Sequence, residues 1–247
     1  MEKMIKMHGA GNSFLVIDEV VGNAVEDREK FVIEEAIKKG VDGVLFVQKD
    51  DGGMGMRYFD KDGTEAAMCG NGLRCVARYV FDKGYTTRSP IIQTGDGHKK
   101  IQIIGDGLVE IDMGPPKDLK KISENLYTLY VGLPHIINFV DSLDKKEAFK
   151  KGRQMRHSKG LMELVNSCYL CVNFMRIIDE HNLEGMTYEA GVEDVTQSCG
   201  TGATASAYVA SIVRGCRFPI SVHNPGGKLR IGMEDGRLLL SGPADYL

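Results

Sequence analysis

The sequence predicts an α/β protein made of two similar lobes, and three observations carry that prediction. One pattern of residues occurs twice along the chain. Apolar runs with the length and alternation of strands are interspersed with longer stretches of helix-forming residues. Hydrophobic residues make up 43% and charged residues 26% of the 247 residues, which is typical of a globular protein that buries a core.

The repeated pattern is centred on two cysteines. Tyr58 precedes Cys69 by eleven residues, and Tyr188 precedes Cys199 by the same distance. Each cysteine opens a Cys-Gly-x-Gly turn that is followed by good helix formers, and an Asp-Gly pair and a Gly-Pro pair follow further along. The offset between the two copies stays between 128 and 130 residues. A fixed period across several features favours a duplicated unit over chance similarity between two glycine-rich halves.

The predicted elements follow the same order in each lobe: strands, the cysteine turn, a helix, and a hairpin that turns at Asp106–Gly107 or Asp235–Gly236. Strands are predicted where the chain is apolar or alternating, over 13–18, 44–48, 101–104, 136–140, 171–178 and 228–233. Helices are predicted where helix formers continue for longer, over 26–39, 72–83, 145–155 and 202–214. The Gly-Pro-Pro run at 114–116 is typical of a connection, so we expect lobes of residues 1–115 and 116–247, with the last strand free to cross back.

Composition and charge exclude several kinds of partner. The net charge is -3 and no basic stripe with interleaved aromatic residues occurs, so a nucleic-acid partner is not expected. No run of eighteen apolar residues occurs, and residues 1–6 lack the apolar region of a secretion signal, which predicts a cytoplasmic protein that does not enter a membrane. The sequence does not decide the oligomeric state, and a homodimer stays open.

The cysteines are the first candidates for chemistry. Six are too few for a disulfide scaffold in a chain of 247 residues, and a reducing compartment keeps them as thiols. Cys69 and Cys199 each lie between a predicted strand and a predicted helix start, where free backbone N–H groups and the helix dipole favour a reactive thiolate. The turn glycines allow the backbone to approach a ligand and to aim N–H groups at a carboxylate, and they are Gly70, Gly72, Gly200 and Gly202.

Two matched thiols suit the inversion of an amino-acid α-carbon. That reaction requires a base on one face of the carbon and a proton donor on the other. Two helix N-termini would also stabilise the negative charge that develops on the enolate. We therefore interpret Cys69 and Cys199 as the acid and base of a racemase or epimerase of amino acids. The alternative is that both are buried structural thiols.

A CxxC motif, Cys168 to Cys171, raises a second kind of chemistry. Such a pair is typical of redox or zinc sites. No second pair accompanies it, and residues three apart in a strand point to opposite faces, so neither role is favoured here.

Short motifs along nearly the whole chain carry a resemblance to a known family. They are Met-His-Gly-Ala-Gly-Asn-Ser-Phe at 7–14, Asp-Gly-Thr-Glu at 62–65, Met-Cys-Gly-Asn-Gly-Leu-Arg-Cys at 68–75, Pro-His at 134–135, Tyr-Glu at 188–189, Cys-Gly-Thr-Gly-Ala at 199–203 and Pro-Gly-Gly at 225–227. In these motifs the chain resembles the diaminopimelate epimerase family. The resemblance implies two pseudo-symmetric α/β lobes, each a curved sheet wrapped around a central helix, with the active site in the cleft between them. It also implies that no cofactor is needed, neither pyridoxal phosphate nor a metal.

The same resemblance implies roles for individual residues. Cys69 and Cys199 are the implied acid and base. Asn12, His135 and Glu189 are the implied positioning groups near the reacting carbon. The implied carboxylate-binding backbone consists of Gly70, Asn71, Gly200 and Thr201.

Four positions depart from the family pattern, and all four would bind the far end of diaminopimelate. Asp60, Leu133 and Cys171 stand where the family has asparagines, and Ala190 stands where it has an arginine. Losing that arginine removes a charge-assisted contact with a carboxylate. The spacing from Ala190 to Cys199 is also one residue longer than in the family, so we expect loop 191–198 to follow a different path.

Three classes of function follow from these observations. The first is a racemase of an amino acid with one stereocentre, such as histidine or another bulky or cationic one, with Asp60 facing the cationic side chain. The second is diaminopimelate epimerase itself, which converts the LL to the meso isomer in lysine and peptidoglycan biosynthesis. The third is a non-catalytic amino-acid-binding or thiol-redox protein. In each case the partner is a small molecule.

Overall fold

The computed structural model describes residues 4–50, 53–105 and 107–247. It divides the chain into two compact units, one of Met1–Asp112 with Gly242–Leu247 and one of Met113–Ser241. The sequence placed this boundary after residue 115, and the structure places it after residue 112 and returns the C-terminal segment to the first unit. No helix among the described residues is long and apolar enough to cross a membrane.

The first unit is a mixed sheet with two helices. Its elements are β1 Met4–Gly9, β2 Asn12–Asp18, α1 Arg28–Lys39, β3 Gly43–Asp50, β4 Gly53–Asp60, β5 Glu65–Ala66, α2 Gly70–Asp82, β6 Ile91–Thr94, β7 Gly97–Gly105, the start of β8 Leu108–Gly114, and the terminal β18 Asp245–Tyr246. Strands β1 and β2 form a hairpin, β2 and β3 are parallel, and β3 and β4 are antiparallel. The order alternates strands and helices, as the sequence predicts for an α/β protein.

The two helices of the first unit have different surroundings. Helix α1 begins at the N-cap Asp27, ends at Gly40 in the left-handed conformation, and buries only Val32 and Ala36. Those two residues pack on an apolar cluster from β2, β3 and β4. Helix α2 is buried along most of its length and contacts β1, β2, β3, β4 and β7, which makes it the central helix of the unit.

The second unit repeats this arrangement. Its elements are β9 Lys117–Lys121, β10 Leu126–Val131, β11 Leu133–Phe139, α3 Lys145–Arg156, α4 Lys159–Val165, β12 Cys171–Asp179, β13 Asn182–Glu189, β14 Asp194–Val195, α5 Gly200–Val213, β15 Ile220–Asn224, β16 Gly227–Glu234 and most of β17 Arg237–Pro243. Helix α5 is rich in alanine and glycine, is buried, and contacts β10, β11, β12, β13, β15 and β16.

The two faces of the sheet of the second unit carry different side chains. Alternate residues of β11, β12 and β13, namely Ile136, Val172, Phe174 and Tyr188, form an apolar cluster with Ala148 of α3. The intervening residues point to the other face, toward α5. Among them are buried polar groups, His135, Asn173 and Thr187. The polar side chains are therefore collected beside the first turn of α5.

The elements predicted from the sequence are present, but their ends differ. Helices α2 and α5 were predicted to begin at residues 72 and 202, which is wrong, because they begin at Gly70 and Gly200. The hairpin turn at Asp235–Gly236 is confirmed, with both residues at positive φ of 47° and 74°. The first residue of the corresponding turn, Asp106, lies outside the described residues. Helix α4 was not predicted.

Candidate active site

Cys69 is the N-cap of the central helix of the first unit. Its backbone is extended, with φ of -138° and ψ of 112°, and its Sγ accepts a hydrogen bond from the N–H of Gly72 at 3.4 Å. A side chain on Gly72 would collide with Leu45, since a Cβ would lie 2.7 Å from Leu45 Cδ2. Cys69 is half-buried. A sulfur in this position faces the free N–H groups and the positive end of the helix dipole, which favour a thiolate.

A buried arginine supports the first turn of α2. Arg74 is completely buried and donates to Asn71 Oδ1 at 2.8 Å, to the Gly70 carbonyl at 3.3 Å and to the Pro243 carbonyl at 3.1 Å. These three acceptors are neutral oxygens. Burial lowers the pKa of Arg74 to about 10, so the guanidinium is still charged at neutral pH.

Asn12 and Asn71 are in direct contact. Asn71 Nδ2 donates to Asn12 Oδ1 at 2.6 Å. Asn12 is the first residue of β2, directly after the tight turn of Ala10 and Gly11, which have positive φ of 50° and 90°. The structure thus brings together three residues that were named from the sequence: Asn12, Asn71 and, at the adjoining N-cap, Cys69.

Cys199 is the N-cap of the central helix of the second unit. Its backbone is again extended, with φ of -119° and ψ of 110°, and its Sγ lies 3.5 Å from Thr201 Oγ1. Unlike Cys69 it is buried, with 5% of its surface exposed. Burial and the negative charge of Glu189 raise the pKa of Cys199 well above its usual value, and hydrogen bonds from Thr201 and the Gly202 backbone oppose the rise. Cys199 is therefore a thiol near neutral pH.

Glu189 and Cys171 lie close enough to Cys199 to interact electrostatically with its thiol. Glu189 is the last residue of β13, and the Thr196 hydroxyl donates to its carboxylate. The N–H of Ala190 donates to Cys171 Sγ at 3.4 Å. Burial raises the pKa of Cys171 to about 12, so this second thiol remains neutral. In the following loop Gly191 and Glu193 have positive φ of 88° and 55°. That loop 191–198 follows a different path from the family's stays a prediction.

His135 lies in β11, in parallel register with Cys171 of β12. It is completely buried, and burial lowers its pKa to about 3, so the imidazole is neutral at physiological pH. Asn173 Nδ2 lies 3.1 Å from His135 Nδ1. Sequence reasoning missed Asn173. The available signal was a polar residue in the middle of the apolar run Cys-Val-Asn-Phe-Met, at residues 171–175.

The four positions that depart from the family pattern are divided between the units. Asp60 ends β4 in the first unit, and the Tyr58 hydroxyl donates to its carboxylate. Burial raises the pKa of Asp60, and the hydrogen bond from Tyr58 acts in the opposite direction. Leu133, Cys171 and Ala190 belong to the second unit. Leu133 begins β11 directly after Gly132, a position where a Cβ would lie 3.2 Å from Thr201 Cγ2.

The CxxC motif does not lie within one strand. Cys168 is exposed and precedes β12, and Cys171 is the buried first residue of that strand. The expectation that the two cysteines point to opposite faces of one strand is therefore wrong, because only Cys171 is in a strand. Within the described part of the chain, no group of three or more His, Cys, Asp or Glu side chains could hold a metal ion.

Comparison with known proteins identifies the family. The family model described as Diaminopimelate epimerase matches residues 4–119 and 127–246. The chain belongs to the diaminopimelate epimerase family. It is 35% identical to a diaminopimelate epimerase of Archaeoglobus fulgidus, over 97% of this chain and 92% of the relative. It is also 35% identical to that of Methanocella arvoryzae, over 98% and 94% of the two chains. The chain is thus an isomerase of the racemase and epimerase class.

Solved structures share the fold at low sequence identity. A predicted epimerase of Pseudomonas aeruginosa superposes with a TM-score of 0.74 at 13% identity, over 100% of this chain and 97% of the other. A hydroxyproline epimerase of Agrobacterium vitis, with bound trans-4-OH-L-proline, superposes with a TM-score of 0.67 at 14% identity, over 99% and 90%. These likenesses establish the α/β fold of two similar lobes.

Proposed function

We propose that the chain epimerises diaminopimelate by two-cysteine proton transfer, without a cofactor. The observation that carries the proposal is the matched placement of Cys69 and Cys199, each as the N-cap of the central helix of its unit. A chain that kept both thiols only for packing would not need an extended cysteine at the N-cap position of both central helices. The non-catalytic alternative has no comparable support.

In the proposed reaction one thiolate removes the α-proton and the other thiol delivers a proton to the opposite face of the same carbon. The electron pair of the broken C–H bond moves into the carboxylate as an enolate and returns to carbon when the new C–H bond forms. After one turnover the two cysteines have exchanged protonation states. The reverse reaction uses the same groups in opposite roles, so no external acid or base is consumed.

The first turns of the two helices supply the electrostatic part of catalysis. Backbone N–H groups at Gly70 and Asn71 and at Gly200 and Thr201 belong to helix starts, whose first N–H groups have no partner within the helix. A carboxylate bound there gains hydrogen bonds that strengthen as it becomes an enolate. Removing one such donor from an active site typically costs about 100- to 1000-fold in rate.

Glu189 and Asn12 are suited to the α-ammonium group. The Glu189 carboxylate lies close enough to Cys199 for its charge to affect that thiol, and it can accept from an ammonium. Asn12 Oδ1 accepts from Asn71, and a carbonyl oxygen has room for a second donor. These contacts would hold the α-carbon beside the sulfurs.

Diaminopimelate is favoured as the substrate by the curated relatives, which are diaminopimelate epimerases at 35% identity over nearly the whole chain. A cation near Cys171, one of the four positions that differ from the family pattern, also supports diaminopimelate as the substrate. The charge of Arg156 acts on the Cys171 thiol, and Arg156 donates to the Cys168 carbonyl at 2.7 Å and lies 3.3 Å from Glu193. Its Nε is buried without a partner in the described part of the chain. Arg156 could therefore take the role of the arginine that Ala190 replaces.

A second candidate is an amino acid with a single stereocentre. Leu133 and Ala190 offer apolar side chains where a distal ammonium and carboxylate would otherwise be bound. Leaving a buried carboxylate without its partner costs several kcal/mol. This candidate shares the two-cysteine chemistry and differs only in the side chain that the substrate presents.

The test is α-proton exchange in deuterated buffer, with purified protein and no added cofactor. The substrates are LL- and meso-diaminopimelate and a panel of amino acids with one stereocentre. The panel includes lysine, ornithine, arginine and aromatic amino acids. We expect the highest kcat/KM for diaminopimelate. A clear preference for a single-centre amino acid would replace the first candidate with the second. Absence of exchange with every amino acid would overturn the proposed function.

A further inference from the structure

One buried side chain of the second unit has a ring nitrogen with no partner among the described residues. His135 is completely buried, and its Nδ1 lies 3.1 Å from Asn173 Nδ2. Its Nε2 is also buried and has no hydrogen-bond partner among the residues that the structure describes. Leaving a buried polar group without a partner is unfavourable, so a group of this kind points to a ligand.

The orientation of the Asn173 amide is fixed by the Ile136 carbonyl, and the contact with Thr187 agrees with it. Asn173 Nδ2 donates to the Ile136 carbonyl at 2.8 Å, and a backbone carbonyl can only accept. On the other side, the Thr187 hydroxyl donates to Asn173 Oδ1 at 2.9 Å. Turning the amide over would place its oxygen against the Ile136 carbonyl and break that hydrogen bond. The amide nitrogen therefore faces His135.

This orientation decides which nitrogen of His135 carries the proton. An amide N–H can only donate, so His135 Nδ1 must accept and must be unprotonated. The imidazole proton is then on Nε2. Because burial also keeps the ring neutral, with a pKa of about 3, Nε2–H is a hydrogen-bond donor without a positive charge.

The Asn173 amide lies directly beneath the first turn of α5. A Cβ placed on Gly202 would be 2.1 Å from Asn173 Oδ1 and 3.2 Å from Cys199 Sγ, so both atoms lie close to Gly202. Only glycine leaves room for the amide there. The face of the sheet that carries His135 and the first turn of α5 are thus in contact through Asn173.

We propose that Asn173 is a positioning residue that holds His135 as the Nε2–H tautomer, so that this N–H donates a hydrogen bond to the carboxylate of the bound amino acid. The proposal rests on the proposed function, which supplies the amino acid. An α-ammonium group has only donors, so a ring nitrogen that bears a proton cannot bind it. The carboxylate is the part of an amino acid that accepts. A neutral donor also leaves the charge of Glu189 available for the ammonium.

The first experiment is nuclear magnetic resonance of protein labelled with nitrogen-15 at histidine. The His135 signals are assigned by their loss in His135→Gln. We expect the one-bond proton coupling on Nε2 and none on Nδ1, with no change between pH 6 and pH 8. A proton on Nδ1, or titration of the ring in that range, would overturn the assignment. Once the His135 signals are assigned, the wild-type spectrum decides the tautomer even if no variant of Asn173 folds.

The second experiment changes the partner of His135. In Asn173→Asp a carboxylate oxygen replaces the amide nitrogen, so His135 Nδ1 acquires the proton and Nε2 loses its role as a neutral donor. We expect kcat/KM to fall by about a hundredfold, as for other losses of alignment in an active site. Thr187→Val is the matched control, because it removes a partner of Asn173 without changing what faces His135. It should keep the Nε2–H signal and most of the activity.

The third measurement connects the tautomer to the substrate. Saturating meso-diaminopimelate should shift the Nε2–H resonance of wild-type protein, because the proton gains a carboxylate partner. An unchanged resonance in protein that exchanges the α-proton of diaminopimelate would overturn the contact. Absence of α-proton exchange with every amino acid would overturn the proposed function instead, while the tautomer set by Asn173 would still be visible in the spectrum.

Discussion

The turn of Cys69 and the turn of Cys199 have the same backbone conformation but differ in the charge of the side chains around the sulfur. Both cysteines occupy the N-cap position with an extended backbone. In each helix the side chain five residues after the cysteine donates a hydrogen bond to the backbone carbonyl of the first glycine of the turn. In the first unit Arg74 donates to the Gly70 carbonyl at 3.3 Å. In the second unit Thr204 donates to the Gly200 carbonyl at 2.8 Å. The corresponding carbonyl thus accepts a hydrogen bond from a cation in one turn and from a neutral hydroxyl in the other.

The opposite charge occurs beside the other thiol. Cys199 has the Glu189 carboxylate as its charged neighbour, and it is more deeply buried than Cys69. A buried cation favours a thiolate, whereas burial and a nearby carboxylate favour a thiol. The two turns therefore have the same backbone conformation, and they differ in the charge and burial that single neighbouring residues impose on each sulfur. We expect Cys69 to be the thiolate and Cys199 the thiol before substrate binds.

The largest effect is expected from replacing either sulfur. Cys69→Ser and Cys199→Ser should each reduce epimerisation by more than about a thousandfold, because an alcohol is not ionised where a thiol is. Cys168→Ser is the matched control, since Cys168 is exposed, and it should be as active as wild type. Near-wild-type turnover in either of the first two variants would rule out the two-thiol mechanism.

Alkylation rates measure the difference between Cys69 and Cys199 directly. In a Cys168→Ser background, iodoacetamide at pH 7 should modify Cys69 faster than Cys199 by about tenfold or more, because the half-buried thiolate is the better nucleophile. Peptide mass spectrometry measures both rates in one sample, and diaminopimelate should protect both sites. If Cys199 reacted first, the assignment of thiolate and thiol would be reversed.

Arg74 tests the cause of the difference. Arg74→Met removes the buried cation, and we expect the alkylation rate of Cys69 at pH 7 to fall by about tenfold while that of Cys199 is unchanged. Arg74→Lys keeps the charge and should retain most of the wild-type rate. Circular dichroism confirms that each variant is folded before the rates are compared. Equal rates in the methionine and lysine variants would show that charge is not the cause.

The smallest effect is expected at Asp60. Burial raises the pKa of this carboxyl, so the folded protein holds its proton more tightly than the unfolded chain does, and stability falls as pH rises through that range. Asp60→Asn should therefore raise Tm by a few degrees or less at pH 7 and leave it unchanged at pH 3, where Asp60 is protonated in both states. It should not slow alkylation of Cys69. A lower Tm at pH 7 would mean that the carboxylate is stabilising.

The fold and the two cysteines could be predicted from sequence because they depend on local signals. The Cys-Gly-x-Gly turns repeat at a fixed offset, and the strands and helices around them have clear periodicity. The helix starts were misplaced because glycine is a poor helix former, and Gly70 and Gly200 therefore read as turn residues. Their helical conformation follows from their place directly after an N-cap.

The charge difference and the tautomer depend on contacts that are distant in sequence. Arg74 would ordinarily be assigned to the surface, and its burial becomes evident only once the Pro243 carbonyl is seen to accept from it. Asn173 contacts His135 across 38 positions of sequence, through the parallel pairing of β11 and β12. Sequence patterns predict that such strands exist but do not predict their register. Those two features had to come from the structure.

The most direct test of the two-cysteine account is the fate of the α-proton during the early part of the reaction in deuterium oxide. Wild-type protein is mixed with LL-diaminopimelate, and the reaction is stopped while less than about a tenth of the substrate has been converted. With a separate acid and base, each new meso product carries deuterium at the inverted carbon, while the remaining LL substrate keeps its proton. Product that retains the original proton would mean that one group performs both transfers, and it would contradict the assignment of Cys69 and Cys199 to opposite faces of the carbon.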